Sequence, residues 1–379
     1  MLSYGEPLEY IGSGGYCKVA KTDKNYAMKL YELNDNKIEH CFKEFIITRM
    51  VDSPYCMPVL SLGIYDDELY SITPLGKPLY HRSTKIRLPF STQGYIDIVR
   101  AVKDLHDKNI WHLDIKMENC IQLPDRVVLS DFGTAVYNGY SNIDLSSPHI
   151  RPPERLLGQP YSKEFDIWSL GYLLYEWITG EYPFKYDSEV DTLFSQLQIL
   201  GTPSEETWPG ISKLPNWKAF FPKWTGNNQI FDDIKYPGLR DLLRKILVMN
   251  PAKRISLTDI LHHPALQIPQ RNLKTLINPT FNFTTVKYGY INVNSKLLKY
   301  CNYRFRKNDT ATIINLYQQL MFSIDHKYQY EIFYLVCIFL SKDVGFQLFI
   351  DILTNKFNDK QFITNCINIL PSVVENMDI

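Results

Sequence analysis

A surplus of charge of either sign is absent from this chain, because 41 Lys and Arg residues balance 41 Asp and Glu residues. Without net charge, no long-range field draws the protein to nucleic acid or to an acidic membrane surface. A long apolar run is also absent. The longest, at residues 332–340, is well short of the roughly 20 residues that cross a bilayer as a helix. We therefore expect neither nucleic acid nor a membrane as a partner.

Paired cysteines are absent as well. The seven cysteines are scattered, with no Cys-x-x-Cys and no two closer than Cys41 and Cys56. This spacing argues against a disulfide framework or a zinc site and for reduced thiols inside a cell. Residues 1–6 have neither the basic region nor the apolar core of a secretory signal. We expect an intracellular protein, located in the cytoplasm, the nucleus or both.

The composition itself is that of a soluble globular protein. Hydrophobic residues make up 45% of the chain and charged residues 22%, which is enough apolar material to fill well-buried cores. A length of 379 residues exceeds one ordinary domain. The sequence therefore predicts two or three compact units.

The most informative segment is residues 111–119, which an Asp-Phe-Gly triplet follows at residues 131–133. It places the carboxylates of Asp114 and Asp131, an amide and an ammonium close together in the chain. Phosphoryl transfer needs such a set: a carboxylate to orient a hydroxyl, oxygen ligands for magnesium, and a cation for the phosphate charge. A single aspartate is most often a turn or cap residue. That role does not explain why all the residue types that phosphoryl transfer needs occur here in this order.

A glycine-rich turn joins two predicted strands upstream, at residues 10–19. Glycines let backbone amides approach phosphate oxygens, although such a turn is about as often a plain hairpin. The next predicted strand, residues 26–30, carries Lys29 among apolar residues, where a lysine is costly unless it is paired. The partner should lie on the helix predicted to follow, where Glu44 is an acidic candidate, although most glutamates are simply solvated.

Together these motifs resemble the glycine-rich loop, the strand lysine, the catalytic loop and the Asp-Phe-Gly triplet of protein kinases. Two positions depart from the family pattern, with Leu113 where arginine is usual and Cys17 in place of the third glycine. The resemblance implies an α+β class and a bilobal protein kinase fold. Its small β-rich lobe would occupy residues 1–76 and its large helical lobe residues 77–268. It also implies ATP and Mg²⁺ as cofactors and proteins as substrates.

The same resemblance assigns the site residues. Asp114 would accept the proton of the substrate hydroxyl, and Lys116, typical of serine/threonine kinases, would neutralise the γ-phosphate. Asn119 and Asp131 would bind magnesium. The residues expected to surround ATP are Ile11, Gly12, Ser13, Gly14, Gly15, Tyr16, Cys17, Lys18, Val19, Ala27, Lys29, Glu44, Thr73 as the gatekeeper, Leu75 and Ile121.

Further segments resemble cyclin-dependent kinases in particular. They are residues 151–154, 200–210, 221–224, 249–256 and 262–264, and the resemblance covers about residues 4–267. It implies an ion pair between Glu154 and Arg254. It places Ser147 at a structural position in the substrate site, and it implies that Arg151 helps to select substrates with proline after the phosphorylated Ser or Thr.

Three arginines that gather around a phosphothreonine in cyclin-dependent kinases match Lys43, Leu113 and Val136 here. Lys43 is the one cation left of the three. A phosphate needs such partners to order a loop, so we expect activation-loop phosphorylation to be unnecessary. Tyr16 matches the tyrosine whose phosphorylation inhibits the family, and added charge there would repel the ATP phosphates. An ordinary packing role for Tyr16 stays open.

The kinase-like pattern ends near residue 268. Residues 269–290 are typical of a linker, and residues 291–379 predict an all-α module of five helices. Segments 313–317 and 334–342 resemble a cyclin box, which implies an activator fused to the kinase and acting in cis. The competing interpretation is a helical extension of the second lobe, with a separate cyclin as the partner.

Two other classes of protein stay open. One is a pseudokinase or scaffold that binds partners through the kinase fold, and the other is a nucleotide-binding regulator without phosphotransfer. The enzyme is favoured because every group that the chemistry needs is present, namely Lys29, Glu44, Asp114, Lys116, Asn119 and Asp131.

Overall fold

The computed structural model describes residues 4–32, 35–66, 68–137 and 146–268. The described residues divide into two compact units, one with the residues up to Asp52 and Pro58–Leu75, the other with Ser53–Met57 and residues 76–268. The predicted linker and the predicted cyclin-like module, residues 269–379, lie outside the described residues.

An antiparallel five-stranded sheet forms the base of the first unit, in the order β1-β2-β3-β5-β4. Its elements are β1 (Pro7–Ser13), β2 (Lys18–Thr22), β3 (Tyr26–Tyr31), α1 (Asp35–Val51), β4 (Ser61–Tyr65) and β5 (Glu68–Pro74). Met28 and Leu30 pack in one apolar cluster with Ile72. Because side chains alternate along a strand, Lys29 lies on the opposite face of the sheet.

Helices dominate the second unit. They are α2 (Thr92–Asp107), α3 (Pro153–Leu156), α4 (Lys163–Thr179), α5 (Glu189–Leu200), α6 (Gln229–Asp232), α7 (Pro237–Ile246) and α8 (Leu257–Leu261). A β-rich unit followed by a helical one confirms the predicted α+β class. No helix in the described ranges is long and apolar enough to cross a bilayer.

Short strands in the second unit hold the loops between its first helices. They are β6 (Lys77–Pro78), β7 (Tyr80–His81), β8 (Ile86–Arg87), β9 (Ile110–Trp111), β10 (Cys120–Gln122), β11 (Val127–Leu129) and β12 (Val136–Tyr137). The ladder β11-β10-β6 and the pair β12-β9 bracket the segment between β9 and β10. That segment carries Asp114, so its two ends are fixed by backbone hydrogen bonds.

Helix α4 forms the centre of the second unit and is buried from Phe165 to Trp177. It ends at Gly180, whose φ of 86° is in the left-handed region that favours glycine. At Gly171 a Cβ would lie 2.6 Å from Ile246 Cγ2, so glycine permits the close approach of α7. This packing makes α4 a rigid support for the side chains at its surface.

Candidate active site

The loop that carries Asp114 is held by the side chain of Asp166, which lies in the first turn of α4. One carboxylate oxygen of Asp166 accepts hydrogen bonds from His112 N (2.8 Å) and lies 2.8 Å from His106 Nε2, while the other accepts from Leu113 N (2.8 Å). Leu113 takes a φ of 63°, which is uncommon for a residue other than glycine. Asp166 therefore holds a strained backbone next to Asp114, as is frequent at functional sites.

Asp114, Lys116 and Ser147 form one hydrogen-bonded group. Lys116 Nζ lies 2.5 Å from Asp114 Oδ2 and donates to Ser147 Oγ at 2.9 Å. Ser147 Oγ donates to Asp114 Oδ1 at 2.6 Å. These contacts fix both oxygens of the carboxylate and the position of the ammonium, which is the preorganisation that a proton-accepting carboxylate and a phosphate-binding cation require.

The side chains proposed as magnesium ligands are suited to a hard cation. Asn119 Nδ2 donates to Asp114 O (2.8 Å) and Oδ2 (3.1 Å), so the amide presents its oxygen in the other direction. Asp131 adds a carboxylate on a backbone with φ 67°. No cluster of three or more His, Cys, Asp or Glu side chains occurs within the described part of the chain. One amide oxygen and one carboxylate are the kind of ligands that Mg²⁺ takes in proteins, together with phosphates and waters.

Lys29 and Glu44 are brought together in the first unit. Lys29 Nζ lies 2.5 Å from Glu44 Oε1, and Tyr31 OH donates to Glu44 Oε2 at 3.0 Å. Burial, together with the Glu44 carboxylate, raises the pKa of Tyr31 well above its usual value, so the phenol stays a donor. The lysine is thus paired, as its place in an apolar strand requires.

The glycine-rich segment forms the turn between β1 and β2. Gly14 N donates to Cys17 O at 2.9 Å, and neither Gly14 nor Gly15 has an atom within 4 Å of where a Cβ would stand. Tyr16 stacks on His40 of α1, with ring centroids 4.2 Å apart. The space beside both glycines is therefore open.

The remaining residues expected around ATP fall in both units. The first unit holds Ile11, Gly12 and Ser13 in β1, Lys18 and Val19 in β2, Ala27 in β3, Thr73 in β5, and Leu75 at its end. Ile121 belongs to the second unit, where it packs beside the cluster of Met57, Leu123 and Val128.

Arg151 is almost entirely buried at 9% exposure. Its guanidinium pairs with Glu189 and donates to the carbonyl of Ser146 at 3.2 Å. Gln196 Nε2 donates to Arg151 O at 2.8 Å. Arg151 therefore fixes the backbone next to Ser147, which is the other predicted substrate residue.

Glu176 is a functional candidate that sequence reasoning missed. It is 2% exposed in α4, and its Oε2 makes no hydrogen bond with any described residue. Burial, with the like charge of Glu118, raises its pKa to about 8. The signal in the sequence was a lone acidic residue within the apolar run of residues 167–177.

The Glu176 pKa predicts a pH dependence of stability. A carboxyl that is raised from 4.5 to about 8 by burial contributes stability that is fully present below about pH 4.5 and lost as the pH rises to about 8. Glu118 opposes its ionisation, whereas Arg87 and Arg82 favour it. We expect Glu176→Gln to gain on the wild type by on the order of a few kcal/mol between pH 5 and 8. Urea unfolding across that range measures the difference, and parallel pH profiles would contradict it.

Comparison with known families agrees with this site. The family model described as "Protein kinase domain" matches residues 6–266. The match spans more than half of the chain and contains both the Lys29–Glu44 pair and the Asp114 group. The chain belongs to the protein kinase family. Phosphotransfer to proteins is the activity that this family defines, and ATP with Mg²⁺ is its usual cofactor set.

Proposed function

We propose that this protein is a serine/threonine kinase resembling the cyclin-dependent kinases, which transfers the γ-phosphoryl group of ATP to protein Ser or Thr residues that precede proline. When bound, Mg²⁺ would neutralise phosphate charge beside Asn119 and Asp131. Asp114 orients the acceptor hydroxyl and takes its proton, and Lys116 stabilises charge on the transferred group.

The observation that carries the proposal is the hydrogen-bonded group of Asp114, Lys116 and Ser147. The carboxylate is held by Lys116 at 2.5 Å and by Ser147 at 2.6 Å, so it is aimed before any substrate arrives. A pseudokinase has no need for this arrangement. The Lys29–Glu44 pair at 2.5 Å supports ATP use by the same chain.

A peptide-dependent assay tests the proposal. Purified full-length protein from bacteria is incubated with ATP, Mg²⁺ and a Ser-Pro peptide, and phosphopeptide is counted by mass spectrometry. We expect phosphorylation of the serine, and loss of it in Lys29→Met. A peptide that stays unmodified at all protein concentrations would contradict the kinase proposal and favour the partner-binding scaffold.

The preference for proline has a physical basis at Arg151. Because Arg151 donates to the Ser146 carbonyl, that carbonyl is not open to a backbone N–H of the substrate. A residue with an N–H after the target loses a hydrogen bond there, which costs roughly 1–3 kcal/mol, whereas proline has no N–H to lose.

We therefore expect kcat/KM for a Ser-Pro peptide to exceed that for its Ser-Ala twin by about tenfold or more. Arg151→Ala should bring the two values close together. Arg244→Ala, at an exposed arginine of α7, serves as the matched control and should keep the preference. Equal rates on both peptides in the unaltered protein would refute proline direction.

Independence from activation-loop phosphorylation is part of the proposal. Leu113 and Val136 are apolar and fully buried at 0% exposure, so neither offers a cation to a phosphate. We accordingly expect the phosphate-free bacterial protein used above to be active without a second kinase.

Activation in cis by residues 291–379 has its own test. A tethered activator works at an effective concentration near millimolar, so it needs no added partner. We expect a chain that ends after Gln267 to lose most of its activity while still folding, as circular dichroism would report. Full activity in the shortened chain would favour a plain helical extension.

A further inference from the structure

Tyr31 gives Glu44 a second partner, which none of the sequence patterns above singles out. Its hydroxyl donates to Glu44 Oε2 at 3.0 Å, while Lys29 Nζ lies 2.5 Å from Oε1. Lys29 and Tyr31 are two positions apart on β3, so their side chains leave the same face of the sheet. One strand thus supplies a cation and a phenol to the two oxygens of one carboxylate.

Ser71 extends this contact on the neighbouring strand. It lies directly opposite Lys29 in the β3–β5 ladder, and its Oγ is 3.5 Å from Tyr31 OH. Because the single phenol proton goes to Glu44, the Ser71 hydroxyl is the donor in this second contact. Ser71 is also a hydrogen-bond partner of Cys41, which precedes Glu44 by one turn of α1. The sheet therefore holds α1 at two points.

Burial lets this network decide where α1 lies. The side chains of Tyr31, Ser71 and Glu44 are all fully buried, away from water that could replace a lost partner. A hydrogen bond to a charged group is stronger than one between neutral groups, and a buried polar group that loses its partner is costly. If α1 moved away from the sheet, the Tyr31 hydroxyl and the Lys29 ammonium would both lose the carboxylate. The network therefore favours the position of α1 in which Glu44 meets Lys29.

The ring of Tyr31 adds a link to the glycine-rich turn. It lies 6.3 Å from the His40 ring of α1, centroid to centroid, and His40 in turn stacks on Tyr16 at 4.2 Å. The three rings connect β3, α1 and the turn. Tyr31 therefore meets α1 through both its hydroxyl and its ring, and Tyr31→Phe removes the hydroxyl alone.

We propose that Tyr31 is a positioning residue for phosphoryl transfer, which holds Glu44 against Lys29 and so fixes the lysine where the ATP phosphates bind. The proposal rests on the proposed kinase function and adds a control to the same site. Part of the active position of α1 is then built into strand β3, and an activator completes that position rather than creating it. Tyr31 acts through Glu44 and not on the nucleotide itself.

Nucleotide affinity is the first test, because it needs no turnover. Full-length Tyr31→Phe is titrated with a non-hydrolysable ATP analogue and Mg²⁺ in a calorimeter. We expect the Kd to rise by about tenfold, as the loss of one buried hydrogen bond to a charged group predicts.

Tyr95→Phe is the matched control for that titration. Tyr95 is a fully buried tyrosine of α2 whose hydroxyl donates to the carbonyl of Leu170 at 3.1 Å, so the control also loses one buried hydrogen bond. It should keep the Kd of the wild type. A Kd within twofold of the wild type in Tyr31→Phe, or an equal rise in Tyr95→Phe, would overturn the proposal.

A double variant shows whether Tyr31 acts through Glu44. In Glu44→Ala the carboxylate is absent, so the addition of Tyr31→Phe should leave the Kd unchanged. A further tenfold rise in the double variant would contradict a route through Glu44. Circular dichroism of each variant verifies that it is folded before titration.

Steady-state kinetics provide a measurement that a merely structural role would not change. A loss of folded protein lowers kcat and leaves both KM values as they were, whereas a misplaced lysine raises KM for ATP. We expect Tyr31→Phe to raise KM for ATP and to leave KM for the Ser-Pro peptide unchanged. A fall in kcat with both KM values unchanged would assign Tyr31 to stability and overturn the proposal.

The outcomes separate this inference from the proposed function. If the peptide is phosphorylated but Tyr31→Phe binds the analogue like the wild type, the kinase assignment stands and the inference falls. If no peptide is phosphorylated, the proposed function fails, while the titrations still decide whether Tyr31 holds the Lys29–Glu44 pair.

Discussion

Replacing Asp114 by Asn lowers kcat for peptide phosphorylation by about 10²–10⁴-fold. The substitution keeps the shape of the side chain but removes the group that accepts the proton of the acceptor hydroxyl. Lys116 and Ser147 donate to different oxygens of Asp114, and asparagine keeps only one of them. The amide oxygen can still accept from Lys116, and the Ser147 hydroxyl can accept from the amide N–H instead of donating, so we expect the melting temperature to change little. Stopped assays over a range of enzyme concentrations measure the loss.

A matched substitution tests whether that loss is specific. Asp107 lies at the exposed end of α2 and pairs with Lys103 one turn away, at 2.6 Å, a kind of contact that contributes little. Asp107→Asn should keep kcat. Activity of Asp114→Asn above about a tenth of the wild-type value would contradict a role in proton transfer.

Replacing Glu154 by Ala destabilises the protein by roughly 3–5 kcal/mol. The two carboxylate oxygens of Glu154 each lie 2.6 Å from a nitrogen of Arg254, and the side chains are 3% and 0% exposed. Without Glu154 the guanidinium stays buried among the described residues, next to the carbonyls of Val248 and Glu164 and the face of Trp168, none of which carries a negative charge.

Chemical denaturation measures the change in the free energy of unfolding. Removing both partners, in Glu154→Leu combined with Arg254→Met, should cost less than Glu154→Ala alone, because no charge is then left buried. Glu206→Ala, at an exposed glutamate, should stay within about half a kcal/mol of wild type. A loss below about 1 kcal/mol in Glu154→Ala would show that the pair is not a structural anchor.

Several of these features could be predicted from the sequence, for physical reasons. That Lys29 needs a partner follows from the cost of a lysine in an apolar strand. The resemblance to kinases selects Glu44 as that partner, and the 2.5 Å contact confirms the pair. The Glu154–Arg254 pair was expected only from family resemblance, since no local pattern links residues that far apart. The structure confirms that pair.

Other features depend on neighbours that the sequence does not reveal. Nothing in Trp-His-Leu-Asp predicts that Leu113 takes a φ of 63°, because that conformation exists only while Asp166, far along the chain, accepts its N–H. The stacking of Tyr16 on His40 depends in the same way on where α1 lies. A local pattern gives residue types and spacing, whereas these contacts come from tertiary packing.

Glu176 shows a different limit. Its place in an apolar helix is unusual for an acid, but we drew no prediction from it, and the sequence does not tell whether a buried cation satisfies it. The structure gives its burial and the neighbouring Glu118, whose charge acts on it. Those two facts make Glu176 a buried carboxyl group beside a like charge, which no local pattern predicts.

The most direct test of the account is a competition among acceptors. The purified chain is incubated with γ-labelled ATP, Mg²⁺ and an equal mixture of peptides that differ only in carrying Ser, Thr, Tyr or Ala before proline. The account predicts label on the Ser and Thr peptides, none on the Tyr and Ala peptides, and none on any peptide with Asp114→Asn. Label confined to the Tyr peptide, or undiminished label with Asp114→Asn, would contradict it.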